Sequence, residues 1–269
     1  MLIKRKSIEK EESLRKSAPR TRRPHYAPVT LSEHDGVRYL HFGTEWVQGG
    51  MRIRKPNWLE LEYAQQMMAF MLFLPQAQHV AQLGLGCASL TKFCYHYLPQ
   101  TRVTAVELNP SVIAVCSAMF KLPPNDERLQ VLEMDAMDFV QDSERHASLD
   151  ALQVDLYDAR ANGPVLDSVE FYRGCADLLQ EHGVMTVNLF GDHPSFQKNI
   201  KAMQAAFIQV LTLPPAPDGN VVALAFKRRI KPDFAALHEE AARIKEATKL
   251  PARAWVNGIK QALEEAAKR

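Results

Sequence analysis

The chain has 269 residues, 46% of them hydrophobic and 24% charged, which is the composition of a soluble globular protein with a substantial core. Its net charge of +2 neither favours nor excludes acidic partners. No apolar run is long enough for a membrane span, the N-terminus lacks the apolar centre of a secretory signal, and the four cysteines show no CxxC pairing or metal-ligand spacing. We therefore expect a cytoplasmic protein with reduced cysteines and no metal site.

The first 27 residues predict a flexible basic tail. Residues 1–24 contain nine lysines and arginines, three glutamates and almost no large apolar side chains. Such a tail can contact nucleic acid, but its composition favours a solvated extension without a specific partner.

Short β-strands are predicted in residues 28–56. Apolar and polar residues alternate on both sides of Asp35-Gly36, a dipeptide typical of hairpin turns, and the run TEWVQGGMRI predicts a third strand. Trp46 and Gln48 would share one face of a regular strand, because alternate residues point to the same side. We expect a small antiparallel sheet in front of the main domain.

A βαβ unit over residues 79–107 carries the clearest chemical signal. An apolar strand runs into Gly84 and Gly86, a helix begins at Ser89, and a second strand leads to Glu107. Glycines at this place allow a tight turn and close approach to a ligand, and an acid about 20 residues later can accept hydrogen bonds from both hydroxyls of a ribose. This spacing predicts a nucleoside site.

Strands and helices alternate through a main domain predicted for residues 57–227. The other predicted helices cover residues 57–74, 110–120, 136–141, 168–181 and 194–206. Asn57 is the predicted N-cap of the first of these, and Gly183 is predicted in the left-handed position after the end of the helix at 168–181. The other predicted strands cover residues 129–133, 151–155, 184–190, 207–213 and 221–226. The last two strands have no helix between them and predict a hairpin. Residues 228–269 predict a C-terminal extension of two helices broken near Pro251. This order predicts a doubly wound α/β fold with a mostly parallel, Rossmann-like sheet.

Acids follow three of the predicted strands. Glu107, Asp135 with its small neighbour Ala136, and the pair Asp155 and Asp158 each come where a strand ends. Ligands of open α/β sheets bind at the carboxyl ends of the strands. Glu107 suits a ribose, Asp135 suits the exocyclic amine of an adenine, and the last pair can hold a protonated amine and accept its proton. Asp158 taken alone is also typical of a turn.

Residues 36–189 resemble the spermidine synthases, the polyamine aminopropyltransferases, which have the class I methyltransferase fold with a small β domain in front. The matching runs are RYLHFGTEWVQ, LELEYAQQM, LGLGCAS, VELNP, MDAMDF, VDLYDARANGP and EFYRGCADLLQEHGVMTVNLF. The most specific part is VDLYDARANGP followed by EFY, an order that plain methyltransferases seldom show.

The resemblance implies a site built from ten residues. Gln48 and Tyr63 would line the site, and Gly84, Gly86 and Cys87 would form the glycine loop. Glu107 would bind the ribose, and Asp135 and Ala136 would bind the adenine. Asp155 would take a proton from the acceptor amine, and Asp158 would anchor the amine-bearing chain. Decarboxylated S-adenosylmethionine would be the donor, a co-substrate rather than a permanently bound cofactor, and the amine would release 5′-methylthioadenosine from it. A homodimer is also expected.

Three positions depart from the family pattern. Cys87 replaces an Asp that pairs with the amine of the donor, Ala64-Gln65 replace His-Glu, and Asp158 is followed by Ala159-Arg160 instead of Pro. Without the Asp, discrimination against the carboxylated donor is weakened, because a carboxylate there would repel the donor's carboxylate. An inward Arg160 would favour an acceptor other than a simple diamine.

Three functions therefore stay open. The first is aminopropyl transfer from the decarboxylated donor. The second is methyl transfer from S-adenosylmethionine on the same fold, which Cys87 favours. The third is a non-catalytic nucleoside-binding or interaction protein.

Overall fold

The computed structural model of the protein describes residues 26–159 and 163–268. The basic tail predicted for residues 1–27 lies outside this range apart from its last two residues, and Arg160 lies outside it as well. The described residues form a small antiparallel sheet, a seven-stranded sheet and flanking helices.

The small sheet contains β1 (Thr30–His34), β2 (Val37–His41) and β3 (Val47–Arg52), in that order and all antiparallel. Both residues of the first turn have positive φ, 49° at Asp35 and 74° at Gly36, as a two-residue type I′ hairpin requires. The predicted hairpin and third strand are confirmed.

The large sheet has the strand order β6-β5-β4-β7-β8-β10-β9. Its strands are β4 (His79–Leu83), β5 (Arg102–Glu107), β6 (Leu129–Glu133), β7 (Leu149–Val154), β8 (Leu179–Phe190), β9 (Gln209–Thr212) and β10 (Asn220–Phe226). β4 to β8 pair in parallel, whereas β10 is antiparallel to β8 and β9. The strand order reverses between β4 and β7, and ligands of open α/β sheets bind at such a reversal.

Helices cover both faces of the large sheet, as a doubly wound fold requires. They are α1 (Glu62–Gln66), α2 (Ser89–Tyr97), α3 (Pro110–Met119), α4 (Ala136–Gln141), α5 (Val169–Leu178), α6 (Phe196–Ala206), α7 (Phe234–Thr248) and α8 (Ala252–Ala267), with 3₁₀ helices at Met67–Leu72 and Ser143–Arg145. One buried cluster joins α2, α7 and α8 to the sheet through Phe93, Ile244 and Trp255. The other joins α4, α5 and α6 through side chains such as Phe171 and Met203. The predicted fold class is confirmed.

The helix predicted for residues 57–74 is wrong in its start and in its continuity. Asn57 lies in a turn, α1 begins at Glu62 without a side-chain cap, and the segment continues as the 3₁₀ helix. The physical reason lies in the sheet: the Met67 carbonyl accepts hydrogen bonds from Gln153 Nε2 at 3.0 Å and Thr186 Oγ1 at 3.1 Å. These buried polar groups compete for a carbonyl that a regular helix would use internally.

The predicted end of the helix at residues 168–181 is also wrong. α5 ends at Leu178, and β8 begins at the next residue. Leu179 is fully buried and pairs with Leu149 of β7, so strand pairing outweighs the local helical pattern. Gly183 lies within β8 and is not among the glycines with positive φ.

Candidate active site

A cavity of about 940 Å³ lies at the carboxyl ends of β4 to β8, with β3 and its preceding loop along one side. Nine of the ten predicted site residues line it, namely Gln48, Tyr63, Gly84, Gly86, Glu107, Asp135, Ala136, Asp155 and Asp158. Cys87 does not. The cavity has the size and the mixed apolar and polar lining of a small-molecule site.

The glycine loop after β4 allows two strand ends to approach each other. Gly84 has a φ of 91°, and a Cβ there would lie 2.2 Å from the backbone oxygen of Asp155. The Asp155 amide donates to the Leu83 carbonyl at 2.9 Å, which ties β7 to β4. Gly84 is therefore required by the protein's own backbone, before any ligand is considered.

Glu107 ends β5 with a carboxylate that backbone amides hold in place. Oε2 accepts from the Leu85 amide at 3.1 Å and Oε1 accepts from the Asn109 amide at 2.8 Å. Burial raises the pKa of this carboxyl, and the amide hydrogen bonds oppose the rise. The carboxylate is thus oriented at the cavity wall, where the ribose was expected.

Asp135 is the N-cap of α4. Its Oδ1 accepts from the Met137 amide at 2.7 Å, and the small residue Ala136 follows at the start of the helix. The cap uses Oδ1 of Asp135 and thereby sets the orientation of the carboxylate, including Oδ2, at the cavity.

Asp155 lies directly after β7 and lines the cavity. Its Oδ1 accepts from Asn188 Nδ2 at 2.9 Å and its Oδ2 from the Tyr63 hydroxyl at 3.3 Å. Burial raises the pKa of the Asp155 carboxyl, while both hydrogen bonds oppose the rise. Burial and the charge of Asp155 raise the pKa of Tyr63 well above its usual value, so Tyr63 stays a hydrogen-bond donor. This is a carboxylate suited to exchanging a proton.

The small sheet holds the loop that carries Asp158. Gln48 Nε2 donates to the backbone oxygen of Asp158 at 3.1 Å, and Thr44 Oγ1 donates to that of Ala159 at 2.7 Å. Trp46 precedes β3, lines the same cavity and is 51% exposed at its mouth. The β2–β3 segment is therefore a wall of the site.

Cys87 is buried in the glycine loop and lines a small neighbouring cavity. Its Sγ lies 3.0 Å from Ser89 Oγ, and a Cβ on Gly49 would lie 2.7 Å from the sulfur. Burial raises the pKa of the thiol, with the charge of Lys92 opposing the rise. Cys87 is thus a neutral group in contact with β3, next to the cavity.

Sequence reasoning missed several polar residues of the cavity, among them Asn188 and Asp218. Asn188 and Thr186 are the two polar residues in the apolar second half of β8, residues 184–190, and that interruption was the available signal. Asp218 lies in the turn between β9 and β10, which reaches the cavity because β10 pairs with β8. Its charge contributes to raising the pKa of Tyr157, after burial and the charge of Asp155.

The cavity favours cations. Among its described lining residues there are six acids, Glu45, Glu107, Asp135, Asp155, Asp158 and Asp218, and no lysine or arginine. Such a lining concentrates positively charged ligands. Within residues 26–159 and 163–268, no group of three or more His, Cys, Asp or Glu side chains could hold a metal ion. No helix in those ranges is long and apolar enough to cross a membrane.

The sheet order, the glycine loop after β4 and the acid after β5 are those of the class I methyltransferase fold. Residues 61–221 match the family model described as the spermine/spermidine synthase domain, and the chain belongs to this family. The predicted resemblance is confirmed.

Relatives and solved structures agree with this assignment. The chain is 34% identical to a polyamine aminopropyltransferase of Neisseria meningitidis serogroup A, over 75% of this chain and 77% of the relative. It is 32% identical to one of Chromobacterium violaceum, over 89% and 92%. The crystal structure of a probable spermidine synthase from Corynebacterium glutamicum superposes with a TM-score of 0.66 at 18% identity, over 86% of this chain and 91% of that one, which supports the fold.

Proposed function

We propose that this protein transfers an aminopropyl group from decarboxylated S-adenosylmethionine to an amine acceptor. The observation that carries the proposal is Asp155, a partly buried carboxylate with a raised pKa that two side chains orient inside the cavity. Membership of the spermine/spermidine synthase family and the two aminopropyltransferases described above support it.

The donor would occupy the part of the cavity next to β4, β5 and β6. Glu107 would accept hydrogen bonds from the ribose hydroxyls, and Asp135 beside Ala136 would accept from the adenine amine. Gly84 and Gly86 would bring the backbone close to the donor. All of these residues line one continuous cavity.

The acceptor would lie on the other side of Asp155, next to Gln48, Tyr63 and Asp158. Amines are mostly protonated at neutral pH, so an ammonium would first transfer one proton to the Asp155 carboxylate. The freed electron pair would attack the carbon next to the sulfonium, forming a C–N bond. The C–S bond would break with its electron pair going to sulfur, which releases 5′-methylthioadenosine. Burial of Asp155 assists because it raises the proton affinity of the base.

The test is direct. The purified protein is incubated with decarboxylated S-adenosylmethionine and 1,4-diaminobutane, and products are followed by mass spectrometry. We expect 5′-methylthioadenosine and the aminopropylated amine in equal amounts. Absence of both, with this amine and with longer polyamines, would overturn the proposal.

A second candidate is methyl transfer, and the observation that favours it is the neutral Cys87 next to the cavity in place of a family Asp. S-adenosylmethionine would then be consumed to S-adenosylhomocysteine, a different product from 5′-methylthioadenosine. Binding of the nucleoside without either product would support the third alternative, a non-catalytic protein.

We also propose that the protein acts as a cytoplasmic homodimer. All five residues of β1 are exposed, and β1 is an edge strand of the small sheet, so it offers unpaired backbone groups to a second copy. Light scattering after gel filtration would test this, and a monomeric mass would contradict it. Nucleic-acid contact by the basic tail stays a prediction.

A further inference from the structure

Exposed apolar side chains surround the mouth of the large cavity. They belong to Trp46, Val47, Leu108 and Val165, and their exposed fractions run from 44% at Val47 to 52% at Val165. Within the described ranges, nine large apolar or aromatic side chains are exposed, and these four are the ones that line the cavity. Single exposed apolar residues are ordinary, whereas a group of them around one opening marks an interaction site. We call the four side chains the apolar rim.

Hydrogen bonds hold the backbone of the apolar rim in place. The Trp46 carbonyl accepts from His41 Nδ1 at 3.0 Å, which fixes the end of the β2–β3 loop. The Val165 amide donates to the Leu156 carbonyl at 3.0 Å, which fixes the segment after β7. The rim is therefore a preformed surface whose side chains stay in contact with water in the described part of the chain.

A ligand that covers the apolar rim must extend outside the cavity. Its members lie on three sides of the mouth: the segment at the start of β3, the end of β5 and the segment between β7 and α5. A small amine that enters the cavity leaves these side chains in water, whereas the surface of a polypeptide is wide enough to cover them. The described lining inside the mouth has six acids and no lysine or arginine, so it attracts a cation.

We propose that the acceptor amine is the side chain of a lysine in a polypeptide, and that apolar residues beside this lysine pack on the apolar rim. This inference rests on the proposed function. A lysine side chain is an ammonium on a flexible stem of four methylene groups, so it can pass an apolar opening with its charge in a polar interior. The acid lining and the apolar rim thus fit two parts of one substrate.

The transfer would proceed as for a free amine. The lysine ammonium gives one proton to the Asp155 carboxylate, and the freed electron pair attacks the carbon next to the sulfonium of the donor. A C–N bond forms, and the C–S bond breaks with its electron pair going to sulfur. The products are 5′-methylthioadenosine and a lysine that carries an aminopropyl group on its side-chain nitrogen.

The first experiment offers peptides to the full-length protein with decarboxylated S-adenosylmethionine. The probes are short acetylated peptide amides with a central lysine and every natural amino acid at the two flanking positions, and mass spectrometry detects the added aminopropyl group. We expect peptides with apolar flanks to be modified with a kcat/KM about tenfold or more above that of the peptide with two glycine flanks. Modification that ignores the flanks, or no modified peptide while 1,4-diaminobutane is consumed, would overturn the proposal.

The second experiment changes the rim. Val165→Ser and Leu108→Ser, on different sides of the mouth, should each lower the kcat/KM of the best peptide relative to that of 1,4-diaminobutane by about fivefold to tenfold. Effects on the donor are common to both acceptors and cancel in this ratio. Parallel changes for the two acceptors in both variants would show that the rim does not contact the peptide, which would overturn the proposal.

The matched control is Ile208→Ser. Ile208 is 63% exposed, does not line the cavity, and its amide donates to the Phe226 carbonyl at 3.1 Å. We expect this variant to keep the wild-type ratio, since it removes the same kind of side chain away from the mouth. Hexylamine tests a small apolar acceptor: a kcat/KM equal to that of the best peptide would assign the rim to small amines and overturn the proposal.

A failure of the proposed function would be distinguishable. If the wild type converts no decarboxylated donor with any amine, aminopropyl transfer fails, and binding of fluorescent peptides with apolar flanks is then measured by anisotropy with 5′-methylthioadenosine bound. Tighter binding to the wild type and to Ile208→Ser than to Val165→Ser would support the peptide surface by itself. Equal binding to all three, or binding to none, would overturn it.

Discussion

The two sides of the cavity that we propose for the donor and for the acceptor, the donor wall and the acceptor wall, are built in different ways. The donor wall consists of Gly84, Gly86, Glu107, Asp135 and Ala136, all within one contiguous run of the chain and each at the end of a parallel strand. The acceptor wall combines Gln48 of β3 and the segment before it, Tyr63 of α1, the loop after β7, the end of β8 and the β9–β10 turn. Local sequence determines the first wall, whereas contacts between distant segments assemble the second. Changes on the acceptor wall can thus alter acceptor choice and leave nucleoside binding intact.

Asp155→Asn, at the boundary of the two walls, should have the largest effect. Loss of the base should lower the rate of transfer about 10²- to 10⁴-fold, because an amide cannot take the proton of the ammonium. Affinity for 5′-methylthioadenosine should stay within a few-fold. Single-turnover kinetics and calorimetry measure the two quantities, with the exposed Glu127→Gln as a charge-matched control. Equal losses in rate and nucleoside affinity would contradict the assignment of Asp155 to the chemistry.

Glu107→Gln should weaken binding on the donor wall and leave amine binding on the acceptor wall nearly unchanged. We expect every adenosyl ligand to bind about 10- to 100-fold more weakly, the loss of roughly 1.5–3 kcal/mol for hydrogen bonds to a charged group. The KM of the amine should change little. Calorimetry with 5′-methylthioadenosine tests the first statement, and thermal unfolding checks that Leu85 and Asn109, whose amides bind this carboxylate, keep the loop folded. Unchanged nucleoside affinity would remove the ribose assignment.

The pH dependence of the transfer rate should follow the protonation of Asp155. Burial raises the pKa of the Asp155 carboxyl above the value of an ordinary Asp, which is about 3.9. As the pH falls, Asp155 is therefore protonated at a higher pH than an ordinary Asp. The rate of transfer should therefore fall about tenfold per pH unit below that raised pKa. The same shift means that the folded state binds the proton more tightly than the unfolded state, so this group's contribution to stability rises as the pH falls through the raised pKa. The pH profile of kcat/KM measures this apparent pKa. An apparent pKa at or below about 3.9 would be inconsistent with Asp155 as the base.

Asp218→Asn should give the smallest effect, restricted to the acceptor wall. Asp218 is exposed at the cavity edge, so its attraction for a second ammonium of the acceptor should be worth about 0.2–1 kcal/mol. The KM for 1,4-diaminobutane should rise up to about fivefold and the KM for a monoamine should not change. Initial-rate kinetics at low salt show the difference best. A parallel change for both amines would place Asp218 outside acceptor recognition.

Local patterns made much of the fold predictable. Apolar periodicity and turn residues located the hairpin of the small sheet and the alternating strands and helices. Two features were not predicted from the sequence. The change from α-helix to 3₁₀ helix at Met67 depends on hydrogen bonds from Gln153 and Thr186 in the sheet. The end of α5 at Leu178 depends on the pairing of Leu179 with Leu149. In both places a partner distant in sequence decides the backbone conformation.

The sequence by itself determined the fold class, the family and nine residues that line the cavity, since glycines and acids at strand ends act through short-range geometry. Only the tertiary structure decided that Cys87 lies beside the cavity, that Gln48 holds the backbone of Asp158, 110 positions away, and that Asn188 and Tyr63 orient Asp155. The apolar rim of the cavity mouth belongs to this second group. A side chain's exposure depends on every neighbour that surrounds it, and those neighbours come together only when the chain is folded.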